Sequence, residues 1–173
     1  GSIRQARIGM KWKRFLPPAR IRGATVTDSL VADGCEIGRG TEIKDSIIGP
    51  GCTIGQDVTI RNSVLFGVSI RRGVDGELSQ HHAAGSPDLW VGSGSTIEGA
   101  IVDRNALIGR DVRIVNDHAL DRSDDADAYM IRDGIPVVAK NARLPDGWNL
   151  ADAVQVASHR ASTLEAAPRH AGS

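Results

Sequence analysis

The chain reads VTDSLVADGCEIGRGTE from Val26, IKDSIIGPGCTIGQDVT from Ile43 and IRNSVLFGVSIRRGVDG from Ile60, in three consecutive blocks of seventeen residues. Within a block, the aliphatic residues follow one another at steps of five, six and six residues. This period matches neither the repeat of an amphipathic helix nor the alternation of a single strand. Three short sides per block predict a triangular coil, a solenoid in which each turn buries its apolar face on its neighbours.

Two positions of each short side are predicted to point into the coil. An Ile, Val or Leu is followed four residues later by a small residue, as in Val31 and Cys35, and residues an even number apart in a strand share a face. Stacked strands lie about 4.8 Å apart, so each inward position becomes a column of side chains along the axis. We expect Ile43, Ile54 and Ile108 to be fully buried in such columns. An aromatic content of 3% suits so narrow an interior.

Glycines follow several of the aliphatic anchors, where the chain has to turn a corner. We expect left-handed backbone at these positions, because Gly adopts it with little steric cost. The glycines concerned are Gly38, Gly49, Gly55 and Gly109.

Composition bounds the class of protein. The 173 residues have room for one domain, and equal counts of 21 basic and 21 acidic residues argue against a nucleic-acid partner. No apolar run is long enough for a membrane span. Gly1 and Ser2 in place of an initial Met resemble a cloning scar. Cys35 and Cys52 occupy equivalent places in adjacent turns, where either a disulfide or two buried thiols would fit.

The chain divides into three parts. Residues 1–23 form a basic, Pro-containing linker, and 24–150 form the coil. Two excursions, at about 67–90 and 115–134, interrupt the coil and are long enough to carry function. Residues 151–173 are a flexible or short-helical tail, and we favour a frayed tail over a helix.

The repeat resumes in phase after each excursion. Ile97 repeats Ile60 at an offset of 37 residues, one turn plus a twenty-residue insertion. Val138 repeats Val102 at an offset of 36 residues, one turn plus a nineteen-residue insertion. The pattern therefore predicts that both excursions leave a continuous coil and return to it.

A second set of aliphatic residues is predicted to point outward. Each five-residue side carries two consecutive aliphatics, and neighbours on a strand face opposite ways. A contiguous apolar row on the surface usually marks a contact, so we predict an interface with another subunit or another domain. The outward residues are Leu30, Ile47, Val64 and Ile101.

Few residues suggest catalysis. The chain has no Gly-rich phosphate loop, no CxxC pair and no nucleophile elbow. His81 and His82 lie in the first excursion, where one could serve as the general base of a hexapeptide-repeat acyltransferase, or both could simply be solvated. Their adjacency sends the rings apart, so no zinc site is expected. Two alternatives stay open: a free-standing acyltransferase, and a purely structural solenoid.

Several segments resemble one known family. These are RFLPPARI, ATVTDSLVADGCEI, the break after SVLFG, AIVDRNALIGRDVRIVN, and YMIRDGIPVVAKNARLPDGWNL. Over Arg14 to Leu150 they look like the C-terminal β-helix of ADP-glucose pyrophosphorylase (glucose-1-phosphate adenylyltransferase), of the plant and cyanobacterial type. The resemblance implies an all-β, left-handed parallel β-helix of hexapeptide-repeat type, although parallel crossovers are generally right-handed.

The resemblance also implies a function. The parent enzyme makes ADP-glucose from ATP and glucose 1-phosphate, with Mg²⁺, for glycogen or starch. Its Gly-rich catalytic domain precedes the β-helix and is not expected within this chain, which should therefore bind no cofactor and not be catalytic alone. The expected partners are that catalytic domain, further subunits in a homo-oligomer, and phosphorylated effectors such as 3-phosphoglycerate and orthophosphate. Neither nucleic acid nor a membrane is expected, and the location would be the cytoplasm, or the plastid for a plant-type source.

An effector site is predicted at one corner of the coil. The sequences Val102-Asp-Arg-Asn-Ala and Val138-Ala-Lys-Asn-Ala correspond at the offset of 36 residues, which stacks Arg104 and Lys140 in adjacent turns. The resemblance places effector-binding lysines at these two positions, although this chain has Arg at the first. Arg132 is a third candidate. The first excursion also lacks the aromatic pair that the family usually has near its start.

Overall fold

The structure is a computed structural model. It describes the backbone of residues 16–67, 71–72, 78–79, 89–123 and 126–165, and the side chains of 16–67, 89–123 and 126–157. In chain order the strands are β1 Arg20–Ile21, β2 Thr25–Thr27, β3 Leu30–Val31, β4 Glu36–Ile37, β5 Glu42–Lys44, β6 Ile47–Ile48, β7 Cys52–Ile54, β8 Thr59–Arg61, β9 Val64–Leu65, β10 Arg71–Arg72, β11 Leu78–Ser79, β12 Leu89–Val91, β13 Thr96–Glu98, β14 Ile101–Val102, β15 Leu107–Ile108, β16 Arg113–Ile114, β17 Tyr129–Arg132, β18 Ile135–Val138 and β19 Arg143–Leu144. One helix follows, α1 Leu150–Glu165.

The strands form three sheets that are the sides of a triangular coil. Face A has the order β1-β4-β7-β12-β15-β19, and face B has the order β2-β5-β8-β13-β16. Face C has the order β3-β6-β9-β14-β18-β17, in which β17 alone runs antiparallel to its neighbour. Val26 pairs with Ile43 and Ile43 with Ile60, so the seventeen-residue turn is confirmed. The hairpin of β10 and β11 belongs to the first excursion.

Aliphatic columns fill the inside of the coil. On face B the column runs from Val26 through Ile43, Ile60 and Ile97 to Ile114. Corresponding columns line faces A and C, and the predicted burial of Ile43, Ile54 and Ile108 is confirmed. Stacking these side chains about 4.8 Å apart removes nearly all their apolar area from water. The burial of each side chain stabilises the fold by about 1.5–3 kcal/mol.

Small hydroxyl residues link the turns near the corners. Buried Thr41 donates its hydroxyl to Gly55 O (2.8 Å) and accepts from Val58 N (3.2 Å). A serine ladder runs beside face C, where Ser46 N donates to Ser29 Oγ (3.0 Å) and Ser63 N to Ser46 Oγ (3.1 Å). These hydroxyls satisfy buried backbone groups that the turning chain would otherwise leave without partners.

The expectation of left-handed backbone at Gly38, Gly49, Gly55 and Gly109 is wrong, since none of them has a positive φ. The left-handed corners lie elsewhere and are mostly Asp, Asn and other glycines, including Asp28 (φ 48°), Asp45 (φ 49°) and Asn62 (φ 48°). Asp and Asn tolerate this region because their side chains bond locally. Close approach explains the four predicted glycines: a Cβ on Gly38 would overlap Gly55 O in the next turn.

The coil starts earlier than predicted. Strand β1 lies within the expected linker and pairs with β4, which sets Ala19 over Cys35 and Ile21 over Ile37. The offset between β1 and β4 is sixteen residues, so the seventeen-residue repeat does not predict β1. The coil also resumes sooner, because β12 at Leu89 already pairs with β7.

The second excursion and the tail together close the C-terminal end of the coil. The excursion returns as the antiparallel strand β17 against β18, a hairpin that the sequence analysis missed. The preference for a frayed tail is also wrong, because α1 extends over sixteen residues. Asn149 Oδ1 accepts from Ala151 N (3.0 Å) and caps its first turn. Leu150 and Val154, four residues apart on one side of the helix, are buried with Tyr129.

No helix in the described ranges is both long and apolar enough to cross a membrane.

Candidate functional site

Arg104 and Lys140 occupy the same corner in adjacent turns. The corner joins face C to face A, after β14 in one turn and after β18 in the next. Val102 pairs with Val138 before the corner, and Leu107 pairs with Arg143 after it, both at an offset of 36 residues. The predicted stacking of the two cations is therefore confirmed at the level of the backbone, with their Cα atoms about 4.8 Å apart.

Two asparagines hold this corner in place. Asn105 (φ 60°) and Asn141 (φ 62°) follow the cations and adopt the left-handed conformation. Asn105 Nδ2 donates to Asn141 Oδ1 (3.1 Å), and Asn141 N donates to Arg104 O (3.0 Å). A side-chain and a backbone hydrogen bond thus join the two corners, and they fix the relative positions of the backbone at Arg104 and Lys140.

A carboxylate lies beside Arg104. Arg104 N donates to Asp103 Oδ1 (2.6 Å), and Arg104 Nε lies 3.5 Å from the same oxygen. Both side chains are more than a third exposed, so water screens the pair and it contributes little to stability. An anion arriving at this corner competes with Asp103 for the guanidinium.

A second carboxylate lies at the level of Lys140. Ala139 N donates to Ala128 O (2.9 Å), which continues the β17–β18 ladder and sets Asp127 opposite Lys140. Both residues are exposed, and within the described part of the chain Lys140 forms no ion pair. The corner thus carries two cations with a carboxylate near each.

Arg132 does not join this corner. It pairs with Ile135 at the start of β18, whereas Lys140 lies five residues further along, a distance of about 16 Å in extended chain. Its Nη1 donates to Ser123 O and to Ile131 O, each at 2.8 Å. Arg132 ties the hairpin to the second excursion, and it is not placed to share a ligand with Arg104.

The predicted outward row exists on face C and is longer than expected. Leu30 pairs with Ile47, then Val64, then Ile101, and the row continues through Val137 to Met130. We call these six side chains the aliphatic face. Leu30 is 69% exposed and Ile47 is 48% exposed. Val137 repeats Ile101 at the offset of 36 residues, so the sequence contained the signal for it.

The other two faces present different side chains to solvent. The outward positions of face B are Thr, Glu, Lys and Arg throughout, including Glu42 and Arg113. Face A mixes charged residues with Trp90 and Leu107. Among the described strands, only those of face C all carry an aliphatic side chain at one outward register, so these residues form one continuous row.

The histidines are not assembled into a site in the part of the chain that can be described. His81 and His82 lie outside the described residues. His118 is exposed, with Nε2 3.5 Å from Gln155 Nε2. Across the described ranges, no three His, Cys, Asp or Glu side chains are grouped as a metal site would need.

The two cysteines are free thiols stacked in one column. Cys35 donates its thiol to Gly49 O (3.1 Å). The neighbouring Cys52 forms a hydrogen bond to it that lowers the pKa of Cys35 to about 7, even though burial opposes the shift. Cys35 and Cys52 are therefore two buried thiols in this structure and do not form a disulfide.

One open groove lies beside α1, away from the corner cations. It has a volume of about 500 Å³, and its wall includes Tyr129, Trp148, Asn149 and Val156. The rings of Tyr129 and Trp148 meet edge to face at 5.3 Å. Its lining is mainly apolar and contains neither Arg104 nor Lys140.

A triangular coil of short parallel strands, with turns of seventeen residues and two excursions, defines a hexapeptide-repeat β-helix domain. Comparison with protein families identifies the particular one. The family described as the GLGC left-handed parallel beta-helix domain matches residues 14–148, most of the chain. The chain belongs to this family, whose β-helix is the C-terminal domain of ADP-glucose pyrophosphorylase. The predicted family and the left-handed, all-β fold are therefore confirmed.

Proposed function

We propose that this β-helix is the regulatory and oligomerisation domain of a glucose-1-phosphate adenylyltransferase, and that its corner at Arg104 and Lys140 binds a phosphorylated effector. One observation carries the proposal: hydrogen bonds through Asn105 and Asn141 stack the two cations on adjacent turns. In this proposal, ATP and Mg²⁺ belong to the catalytic domain, and the enzyme works in the cytoplasm or a plastid.

The chemistry of the two side chains suits a phosphate. The Arg104 guanidinium offers a planar fork that matches two phosphate oxygens, and the Lys140 ammonium adds a compact point charge. Their bases are one strand spacing apart, so both can reach a single phosphoryl group. Asp103 and Asp127 offset part of this charge, so the isolated coil should bind weakly. Further cationic groups from a neighbouring domain or subunit would complete the site.

The aliphatic face supports the second half of the proposal. A continuous aliphatic row on a water-soluble surface is stabilised by covering it. A catalytic domain of the same enzyme, or another subunit, would supply the matching apolar surface. The row runs from Leu30 on β3 to Met130 on β17, the two end strands of face C, so such a contact would span all six strands.

Titration tests the effector site. Orthophosphate and 3-phosphoglycerate are added to the isotopically labelled chain, and amide shifts are followed by NMR. We expect shifts centred on Asn105 and Asn141, lost in Arg104→Ala and in Lys140→Ala. The control is Arg110→Ala, which removes an exposed cation from a different corner of the same coil.

The same variants are then assayed in the complete enzyme. Lys140→Ala should raise the activator concentration needed for half-maximal activation by at least about tenfold, which corresponds to the loss of one charge-assisted contact. Turnover without activator should stay close to wild type, because the corner is not part of the catalytic machinery. If both Arg104→Ala and Lys140→Ala respond to effector like the wild-type enzyme, the corner is not the effector site.

Sedimentation tests the aliphatic face. Ile47→Glu combined with Val64→Glu puts two charges in the middle of the row and should lower the oligomeric mass. Thr96→Glu, at an outward position of β13 on face B, is the control and should leave the mass unchanged. An unaltered mass for the double variant across all protein concentrations would exclude a subunit contact on this face.

A further inference from the structure

One corner of the coil carries sulfur where the other corners carry hydroxyl groups. The hydroxyl of Thr41 donates to a carbonyl fourteen residues ahead and accepts from the N–H seventeen residues ahead. Ser95 repeats this arrangement, because its Oγ donates to Gly109 O (3.0 Å) and accepts from Val112 N (3.1 Å). Thr41 and Ser95 are both fully buried. A small polar side chain at this place therefore joins one turn of the coil to the next.

Cys35 occupies the equivalent place at the corner that joins face C to face A. Its thiol donates to Gly49 O (3.1 Å), again fourteen residues ahead. The backbone N–H groups of Gly51 and Cys52 donate to the sulfur, and so does the thiol of Cys52. Several hydrogen-bond donors thus surround the sulfur of Cys35, an arrangement that favours the thiolate over the thiol.

Cys52 provides a second thiol in register with Cys35. Glu36 pairs with Thr53 in the parallel ladder of β4 and β7, so Cys35 and Cys52 stand one turn apart in the same inward column. Their Cα atoms are about 4.8 Å apart, within the range of about 4.4–6.8 Å that disulfides span. A bond between the two sulfurs therefore requires no change in the register of the strands.

The corner outside Cys35 gives the sulfur only a thin cover. Gly34, the residue before Cys35, is exposed, and Ala32 and Asp33 are half-buried. Cys35 and Cys52 are themselves buried, so a reagent reaches them only when the corner moves, and a small reagent needs the smallest movement. Hydrogen peroxide is hardly larger than water, and it is the oxidant that suits this site.

We propose that Cys35 and Cys52 form a reversible redox pair, in which a hydroperoxide converts the two thiols into a disulfide that joins two adjacent turns of the coil. The Cys35 thiolate attacks one oxygen of hydrogen peroxide, the O–O bond breaks, and hydroxide leaves as Cys35 becomes a sulfenic acid. The Cys52 thiol then attacks this sulfur and water leaves. In total, two thiols and one peroxide give one disulfide and two waters. A small dithiol restores both thiols by exchange and is itself oxidised to a disulfide.

The order of attack follows from the hydrogen bonds at the corner. The pKa of Cys35 is lowered to about 7, chiefly by the hydrogen bond from the Cys52 side chain, so a large fraction of Cys35 is thiolate near neutral pH. Cys52 already contacts the sulfur that it has to attack. This inference is independent of the effector site and of the aliphatic face.

Peptide mass spectrometry tests the proposal on the reduced 173-residue chain after treatment with hydrogen peroxide. We expect the peptides of Cys35 and Cys52 to be linked within one chain, and dithiothreitol should reverse the link. The disulfide closes a loop of seventeen residues, so it should raise Tm by about 5–10 °C. The rate of disulfide formation should reach half its maximum at about pH 7, where Cys35 ionises.

Two serine variants separate the roles of the cysteines, and serine suits the corner because Ser95 forms the same hydrogen bonds elsewhere. In Cys52→Ser no thiol resolves the sulfenic acid at Cys35, so dimedone should trap it and Tm should not rise. In Cys35→Ser the attacking thiolate is missing, so dimedone labelling should be slower than in Cys52→Ser by at least about tenfold. Circular dichroism checks that both variants keep the coil.

Three outcomes would overturn the proposal. Peroxide might leave both thiols unmodified while it oxidises free glutathione in the same solution, which would make the pair inert packing residues. Covalent dimers in place of an internal link would show that the two sulfurs do not meet within one chain. A half-maximal rate near pH 8.5, about the pKa of a free thiol, would show that the pair reacts only after the corner has unfolded.

Discussion

Replacing Ile54 by Ala tests the register of the coil at its most constrained point. Ile54 is 2% exposed and stacks between Ile37 and Val91 in the column of face A. The substitution removes three carbon atoms, which costs about 2.4 kcal/mol at 0.8 kcal/mol for each buried carbon. The cavity adds to this, because Gly38 N to Ile54 O (2.9 Å) and Gly55 N to Val91 O (2.8 Å) hold both neighbouring turns at fixed spacing. We therefore expect a loss of about 3–5 kcal/mol in the free energy of unfolding.

Ile47→Ala is the matched control, since it makes the same chemical change in a neighbouring strand. Ile47 is half-exposed and points outward, so we expect a loss of about 1 kcal/mol or less. The free energies are measured by urea unfolding followed by circular dichroism, at a concentration where sedimentation shows a single species. The intrinsic strand preferences of Ile and Ala enter both variants and cancel. A loss at Ile54 no greater than that at Ile47 would refute the assignment of inward and outward positions.

Three further predictions follow from individual side chains. In Cys52→Ala the pKa of Cys35 should rise from about 7, because the hydrogen bond that lowers it is lost; ultraviolet absorbance of the thiolate against pH measures this, and an unmoved midpoint would contradict it. Asp103→Asn should tighten orthophosphate binding by up to about fivefold, measured by the NMR titration, because it removes a competitor from beside Arg104. Burial raises the pKa of Tyr129; the unfolded phenol therefore ionises first, and stability should fall as pH rises above about 10. Tyr129→Phe should weaken that dependence in thermal unfolding, and an identical pH dependence in both proteins would count against it.

The columns of the coil could be predicted because they repeat. Burying an aliphatic residue at the same place in every turn produces a period that survives two insertions, as the pairs Ile60 with Ile97 and Val102 with Val138 show. The stacking of Arg104 and Lys140 follows from the same arithmetic. The repeat has no information about the orientation of those side chains or about Asp127, which enters the corner from a non-repeating hairpin.

The misjudged features depend on contacts that no period encodes. Strand β17 and helix α1 each occur once, and the helix is stabilised by packing Leu150 and Val154 on the end of the coil. The glycines after the aliphatic anchors are needed for close packing and not for left-handed backbone. At position 38 a side chain would collide with Gly55 O, and this contact depends on the spacing between turns. Asp28 and Asp45 adopt the left-handed corners instead. A lone sequence shows the corner but does not show which residue bears the positive φ.

The serine ladder and the columns have a consequence for refolding. From Val26 to Leu65, successive turns present the same kinds of side chain, so a turn of one molecule fits on a turn of another almost as well as on its own. Within one chain such a misalignment would loop out a whole turn and lose its burial, which opposes it. Between two chains nothing comparable is lost, and repeat proteins are prone to exchange of this kind. Refolding at high protein concentration should therefore produce interleaved dimers joined through Val26–Leu65, whereas the two turns that contain an excursion differ from all the others and find only their own partners.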